Sequence, residues 1–373
     1  MSKQFRCIYC WELIGKSNRR RHLDVVHYAD ATVTALIEKY LRNLKDHQSL
    51  LAGALELEIE RAKGLRSLKD GKYQEACGLS KSDSAFLMDQ LECWKQETTG
   101  QHVFEDIMHD FDKNKSQDAV FSTTESNHPE QETSIEEVIR QLFEPNTSRT
   151  VYAVNFTIRD AMFMPQRLQH HEISSQPRIM ANVTPEGTVI DLHVDRGYHG
   201  ITALKYGCIK IWGLYPWTSA NKKLWEEHCQ SPQRFVALQG KLEEGRFFVQ
   251  LQTSAMYIPP GCIHMTVTIK GGFVPGMMYI THESLEAAAD DLDIDISHGM
   301  PRKAADFEPF LESVIMCLKR GGDRRETALK TLCRLSKESG LRKNKLIDEV
   351  KKEVDAKDSC GVCGKKWAGH WRG

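Results

Sequence analysis

From Thr150 onward the chain runs through nine short β-rich segments: TVYAVNF, RIMANV, TVIDLHVD, CIKIWGLYP, RFVALQ, RFFVQLQ, AMYIPP, HMTVTI and MMYI. Gly, Pro and Asn punctuate them. A rhythm of this kind predicts an all-β barrel or jelly roll here, not an alternating α/β sheet. A lone hairpin is marginal in water, so the segments must close around a shared core. The flanks have a different period. Leu36, Ile37, Tyr40, Leu41 and Leu44 recur at spacings of three and four, and Leu50, Leu51, Leu55, Leu57 and Ile59 continue the pattern. That is helical, and it suits either packing against the main domain or a partner-binding coiled coil. After Leu285 the stretches FEPFLESVIMCLKR, RETALKTLCRLSKESG and NKLIDEVKKEV are helical again. Residues 110–134 are polar and poor in apolar side chains, the composition of a flexible acidic linker. Asp110, Asp112 and Asn114 imitate the start of a calcium loop. Lys115 replaces its Gly and Phe121 its bidentate Glu, so no calcium site is expected.

Composition narrows the setting. Hydrophobic residues make up 40% and charged residues 27% of the 373, a globular profile. No apolar run approaches the ~20 residues that span a bilayer. The opening MSKQFRCIYC lacks the apolar core of a secretory signal, so an intracellular protein is expected. Eleven cysteines in a reducing compartment point to metal ligands rather than disulfides wherever two lie close. A net charge of −1 excludes a uniformly basic nucleic-acid coat, although the first 30 residues and the C-terminal tail are locally basic.

Two Cys/His patterns stand out. Cys7-x2-Cys10 and His22-x4-His27 are separated by eleven residues, which matches a two-Cys two-His zinc finger one residue short. Arg19 stands where such fingers usually carry a core Leu. Phe5, Leu13, Ile14, Leu23 and Val26 are the candidates for the mini-core. Asn18, Arg19, Arg20 and Arg21 would precede His22 on the finger helix, where side chains can meet phosphates or base edges. One finger covers only about three base pairs, so protein binding, or DNA contact helped by other parts, is equally open. Near the other end Cys360-x2-Cys363 and His370 offer three zinc ligands, either an incomplete finger or one that borrows a fourth. Arg342, Lys343, Lys345, Lys351 and Lys352 precede them and suit either nucleic-acid contact or a solvated helix face.

The third pattern lies in the β-rich stretch. In a strand, residues i and i+2 share a face, so His193 and Asp195 can reach one ion. A second His from a neighbouring strand completes a facial 2-His-1-carboxylate triad, the ligand set of non-haem Fe(II) oxygenases. The dipeptide alone is weak, since His22-Leu23-Asp24 has the same spacing. Its context is stronger. His264 follows Tyr-Ile-Pro-Pro-Gly-Cys-Ile and precedes the run Met265–Ile269 and Gly271-Gly272, and Lys210 lies six residues before Pro216.

In these features residues 150–285 resemble the JmjC (jumonji-type, cupin-like) Fe(II)/2-oxoglutarate oxygenases, and GTVIDLHVDRGYHGITALKYGCIKIWGLYPW is most similar to the fungal type. The resemblance implies iron held by His193, Asp195 and His264, with Lys210 binding the distal carboxylate of 2-oxoglutarate. The alternative for Lys210 is a solvent-facing strand residue. The family's upstream Thr or Tyr is missing: Ile190 and Thr188 stand there, and Thr202 is the substitute. Met277-Met278-Tyr279 replaces a customary Asn. The implied reaction uses O2, one oxygen atom going to succinate as 2-oxoglutarate loses CO2 and the other hydroxylating a nearby C–H. A hydroxylated N-methyl group would then release formaldehyde. A protein substrate, with histones among the candidates, and a nuclear, chromatin-linked setting follow from the same analogy. The competing readings are a non-catalytic JmjC-fold regulator and a small-molecule hydroxylase. Tyr198, Tyr206, Trp212, Tyr215 and Trp217 suit barrel packing better than a methyl-lysine cage.

The expected class is therefore α+β: a double-stranded β-helix (jelly roll) core with helical N- and C-terminal regions and a small finger. The expected divisions are a finger over 1–30, a helical region over 31–100, an acidic flexible linker over 101–147, the jelly roll over 148–290, basic helices over 291–358 and a partial Cys/His finger over 359–373.

Overall fold

The computed structural model describes residues 4–27, 29–67, 74–78, 84–94, 99–114, 121–123, 134–146, 150–159, 162–195, 197–298, 304–354, 358–359, 364 and 366. The chain is α+β. It divides into two compact units: Met1–Pro165 with Ile179–His193 and Ile201–Met277, and Gln166–Arg178 with Val194–Gly200 and Met278–Gly373.

The first unit opens with the hairpin β1 (Gln4–Arg6) and β2 (Leu13–Gly15), followed by α1 (Arg19–His22). Two longer helices come next, α2 (Ala31–His47) and α3 (Ser49–Arg61). Asp30 caps α2, its carboxylate accepting from the Thr32 and Val33 amides at 2.6 and 3.0 Å. The apolar stripe of α2 buries Ile37, Tyr40 and Leu44, and the helix packs on α3 and on strand Ile263–Lys270. The packing alternative for this stripe is thus the observed one.

The remaining strands are β3 (Leu65–Arg66), β4 (Gln74–Gly78), β5 (Ser84–Asp89), β6 (Phe121–Thr123), β7 (Val151–Thr157), β8 (Arg178–Thr184), β9 (Val189–His193), β10 (His199–Ala203), β11 (Ile209–Tyr215), β12 (Arg246–Gln250), β13 (Ser254–Ile258), β14 (Ile263–Lys270) and β15 (Gly272–Tyr279). They form a five-stranded sheet, β3-β12-β11-β14-β9, and an eight-stranded sheet, β4-β5-β13-β10-β15-β8-β7-β6. Ala85, Leu87, Met256 and Ile258 of the larger sheet share one buried cluster with Trp212, Leu214 and Phe248 of the smaller. The two sheets therefore bury apolar faces against each other, the main source of stability in such a layered fold.

Three expectations are corrected. The span 31–100 is helical only at first; β3, β4 and β5 follow and join the sheets. Within 101–147, α4 (Gly100–Asn114) and α5 (Ile135–Phe143) are helices packed on β7. Asp106 on α4 accepts from the Arg159 amide and Nε at 2.8 and 2.6 Å, so part of that acidity serves tertiary contacts. Of the rest of the expected linker, residues 115–120, 124–133 and 147 lie outside the described residues. RFVALQ is not a strand. After α6 (Ser219–His228), residues Arg234–Ala237 form the short helix α7. The Asp191 carboxylate accepts from the Arg234 and Phe235 amides at 2.7 and 2.8 Å and holds that first turn in place of a ladder.

The second unit contains α8 (Leu285–Ser297), α9 (Glu308–Arg320), α10 (Gly322–Leu335), α11 (Ser339–Arg342) and α12 (Ile347–Glu353). Leu292, Phe310, Val314 and Leu332 lie in their common core. Gly197 has φ +72°, and a Cβ there would fall 2.3 Å from the Ala288 Cα, so only glycine fits against α8. Part of the basic set is paired locally: Lys345 with Glu308 at 2.8 Å and Lys351 with Asp348 at 2.9 Å. Among the described residues no helix is long and apolar enough to cross a membrane.

Candidate metal centres

Among the described residues two groups of His, Cys or acidic side chains could hold a metal ion: Cys7, Cys10, His22 and His27, and His193, Asp195 and His264. In each, the prospective ligand atoms all lie within 4.8 Å of one another. Cys360, Cys363 and His370 lie outside the described residues.

In the first group the hairpin brings the two cysteines together, and the Trp11 amide closes the turn on the Cys7 carbonyl at 2.8 Å. His22 and His27 are five residues apart, a spacing that points side chains apart on an α-helix. The chain widens into a π-turn over Leu23–His27, which returns residue i+5 to nearly the same face. The Nε2 atoms of His22 and His27 end 3.1 Å apart, and the Cys10 Sγ lies 3.4 Å from His22 Nε2. Two thiols and two imidazoles converging with their polar atoms this close fit a tetrahedral soft-donor site.

The mini-core differs from expectation. Leu23 is buried with Cys7, Ile8 and Tyr9, whereas Leu13 and Val26 are exposed at 56% and 47%. The reason is that the finger is docked. The Leu65 amide donates to the Ile8 carbonyl at 2.7 Å, the Tyr9 hydroxyl meets Thr34 Oγ1 at 3.2 Å, and Arg19 pairs with Glu38. Gly64, at φ +100°, allows the approach, since a Cβ there would fall 2.4 Å from the Tyr9 carbonyl. Arg19 also lies over the Phe5 ring at 5.1 Å, so it packs within the finger as well as pairing with Glu38 on α2.

In the second group the register sets the pair of histidines. His264 on β14 lies directly opposite His193 on β9, and the ring centroids are 4.0 Å apart. Asp195 follows His193 by two residues. Each imidazole is oriented by backbone. His193 Nδ1 lies 2.8 Å from the Asp191 carbonyl, and His264 Nδ1 lies 2.9 Å from the Cys262 carbonyl. A carbonyl can only accept, so both Nδ1 atoms carry the proton, and Nε2 is the ring nitrogen with a lone pair able to ligate a metal. Sequence reasoning missed these two carbonyls, because main-chain acceptors have no residue signature. It also missed Asp191, whose side chain ties the end of β9 to α7.

The face that carries His264 continues inward. On β11, Leu214, Trp212 and Lys210 stand opposite His264, Thr266 and Thr268. Trp212 packs on His264 with centroids 5.9 Å apart, and its Nε1 donates to Gln250 Oε1 at 2.7 Å. Gln250 Nε2 in turn donates to the Thr202 carbonyl at 2.9 Å. Lys210 is 1% exposed and makes no hydrogen bond or ion pair with a described residue. The solvent-facing alternative for it is excluded. Burial pushes its ammonium down to about 8, opposed only by the neighbouring Cys208. Thr202 Oγ1 is buried without a partner among the described residues, whereas Thr188 Oγ1 donates to the Pro185 carbonyl at 2.8 Å.

The aromatic residues do not gather into one box. Trp212 and Tyr215 are buried, and the Tyr215 hydroxyl donates to Glu58 at 3.0 Å; Tyr206 is 49% exposed. In the second unit Tyr279 has its own network. The Tyr279 hydroxyl meets His171 Nδ1 at 2.8 Å, and its ring stacks on His199, whose Nε2 meets Thr281 Oγ1 at 3.0 Å. Burial, then neighbouring His170, pushes His171 down to about 4; burial pushes His199 well down too.

No family model matches the chain, and the search of curated proteins finds no match.

Proposed function

We propose that this chain is an Fe(II)- and 2-oxoglutarate-dependent dioxygenase built on a double-stranded β-helix. The observation that carries the reading is the pairing, on one inner face, of an imidazole–imidazole–carboxylate group with a buried lysine that has no anionic partner among the described residues. His193, Asp195 and His264 would hold iron and leave positions open. Iron and 2-oxoglutarate together supply the O2 chemistry. Lys210 would hold the far carboxylate of 2-oxoglutarate, with Thr202 beside it; a buried cation without a partner calls for a counter-anion. The chain's own work is to fix both imidazoles in the Nδ1–H tautomer, to orient the co-substrate and to exclude water.

The substrate class we favour is a protein, hydroxylated on a side chain or demethylated at an N-methyl-lysine, in a nuclear, chromatin-linked setting. That part rests on the resemblance and on the finger, for which we propose structural zinc. A docked finger whose Arg19 is already paired with Glu38 supports a structural role over autonomous DNA reading. The test is the purified protein with Fe(II), ascorbate, O2 and 2-oxoglutarate, followed by mass spectrometry for succinate. Succinate formed by the wild type and not by Asp195→Ala supports the reading. Iron binding without 2-oxoglutarate binding or succinate would leave a non-catalytic binding module.

A further inference from the structure

The proposed co-substrate pocket contains two polar side chains that the iron and lysine assignments leave unexplained. Thr266 and Thr268 are 2% and 0% exposed, and neither Oγ1 has a hydrogen-bond partner among the described residues. Both lie on β14 at alternate positions from His264, and Thr268 stands directly opposite Lys210. His264, Thr266 and Thr268 therefore form a polar row along one strand, leading from the metal ligand to the lysine over roughly 13 Å of backbone. Such positions in a β-core normally carry Val, which has the same shape and no hydroxyl to desolvate. The neighbouring groups do not supply partners. Gln250, opposite Lys210 on the other side, is committed to Trp212 and to the Thr202 and Ser254 carbonyls. Burial pushes the Cys208 thiol up to about 11, so it stays neutral beside Lys210.

Two buried hydroxyls without a partner among the described residues, and a buried ammonium on the adjacent strand with no carboxylate among the groups that shift it, make up a donor set without an acceptor. We propose that Thr268 and Thr266 donate to the far carboxylate alongside Lys210, and that this row makes the pocket select dicarboxylic 2-oxo acids over monocarboxylic ones. The inference rests on the proposed oxygenase reading and adds the groups that read the co-substrate. Thr268, opposite the lysine, bears the larger share; Thr266, nearer the metal, bears the smaller.

The test is calorimetry of the full-length Fe(II)-loaded protein under anaerobic conditions, with 2-oxoglutarate and with pyruvate, which lacks the far carboxylate. Thr268→Val keeps the side-chain shape. A hydrogen bond to a charged group predicts about a 10- to 100-fold loss of 2-oxoglutarate affinity, with pyruvate affinity and iron content unchanged. Thr266→Val moves the same way by less. Without co-substrate, both variants unfold at the wild-type temperature or above it, because each loses an unpaired buried hydroxyl. Wild-type 2-oxoglutarate affinity in Thr268→Val, or an equal loss for both acids, would overturn the assignment of the threonines and leave the oxygenase reading intact. A wild type that binds iron but neither acid would overturn the oxygenase reading, and this inference with it.

Discussion

The two candidate metal groups are assembled in opposite ways. In the finger the four ligands come from 21 consecutive residues, Cys7 to His27, and only a local turn and a π-widened helix bring them together. The Nε2 atoms of His22 and His27 lie 3.1 Å apart. In the second group, His193 and His264 come from strands paired across the sheet, and a carbonyl two residues upstream fixes each ring. The comparison teaches which site depends on its metal for shape. A local site with a small core draws its folding energy from ligation. A site carried by a ladder and a buried core exists before the metal arrives and can leave coordination positions open.

That contrast sets the expected effects. The largest is on turnover. Asp195→Ala removes the carboxylate ligand, and succinate formation should fall by roughly a thousandfold or more, since the metal contributes several kcal/mol to catalysis. Circular dichroism and the unfolding midpoint should stay close to wild type, because the ladder holds the strands. Collapse of the fold in Asp195→Ala would erase the distinction between the sites.

Removal of zinc is next. Chelation, or Cys7→Ala, should cost about one equivalent of zinc and let the amides of residues 4–27 exchange near the unfolded rate, while β9, β11 and β14 keep their protection. Unchanged zinc stoichiometry in Cys7→Ala would show that the finger reading is wrong.

The third effect has the opposite sign. Lys210 titrates near 8 in the folded protein because burial disfavours its charge, against an ordinary 10.5. A depressed lysine binds fewer protons folded than unfolded between those values, so the wild type gains stability as pH rises from about 8 to 10.5 and is penalised below 8. Lys210→Met removes the penalty. It should stabilise the co-substrate-free protein by roughly 2–4 kcal/mol at pH 7, with the difference fading above pH 8. In the same variant the 2-oxoglutarate requirement should rise about 30-fold or more. Denaturant titrations at pH 7 and 10 read the first, and calorimetry the second. A destabilised Lys210→Met would mean that the lysine already has a structural anion.

The smallest effect belongs to Arg19. Its ion pair with Glu38 is partly exposed, so Arg19→Ala should cost about 0–1 kcal/mol, and the Leu65–Ile8 backbone bond should keep the finger docked.

How much of this could be read in the sequence follows the range of the signal. His193-x-Asp195 was visible because strand geometry is local, and the apolar stripes of α2 and α9 were visible for the same reason. Strand β10, HGITA, gives a weak signal because Gly and a short length blur alternation, and the hairpin of β4 and β5 gains its place in the sheet only through β13, far along the sequence. RFVALQ has the composition of a strand, yet a carboxylate 43 residues upstream makes it a helix turn. The acidic stretch near Asp106 read as a linker because its solvated faces dominate composition and its contact with Arg159 is remote. Lys210 could be singled out from its place before Pro216. That it is buried with no anionic partner among the described residues, with Thr266 and Thr268 beside it, emerges only from the register of the strands.

The most direct test of the central claim is anaerobic titration of 2-oxoglutarate into the Fe(II)-loaded wild type, with Lys210→Met and His264→Ala run in parallel. The account predicts saturable one-to-one binding in the wild type. It also predicts Lys210→Met that keeps its iron but binds 2-oxoglutarate at least about 30-fold more weakly, and His264→Ala that loses both. A wild type that binds iron at this site and takes up no 2-oxoglutarate would contradict it.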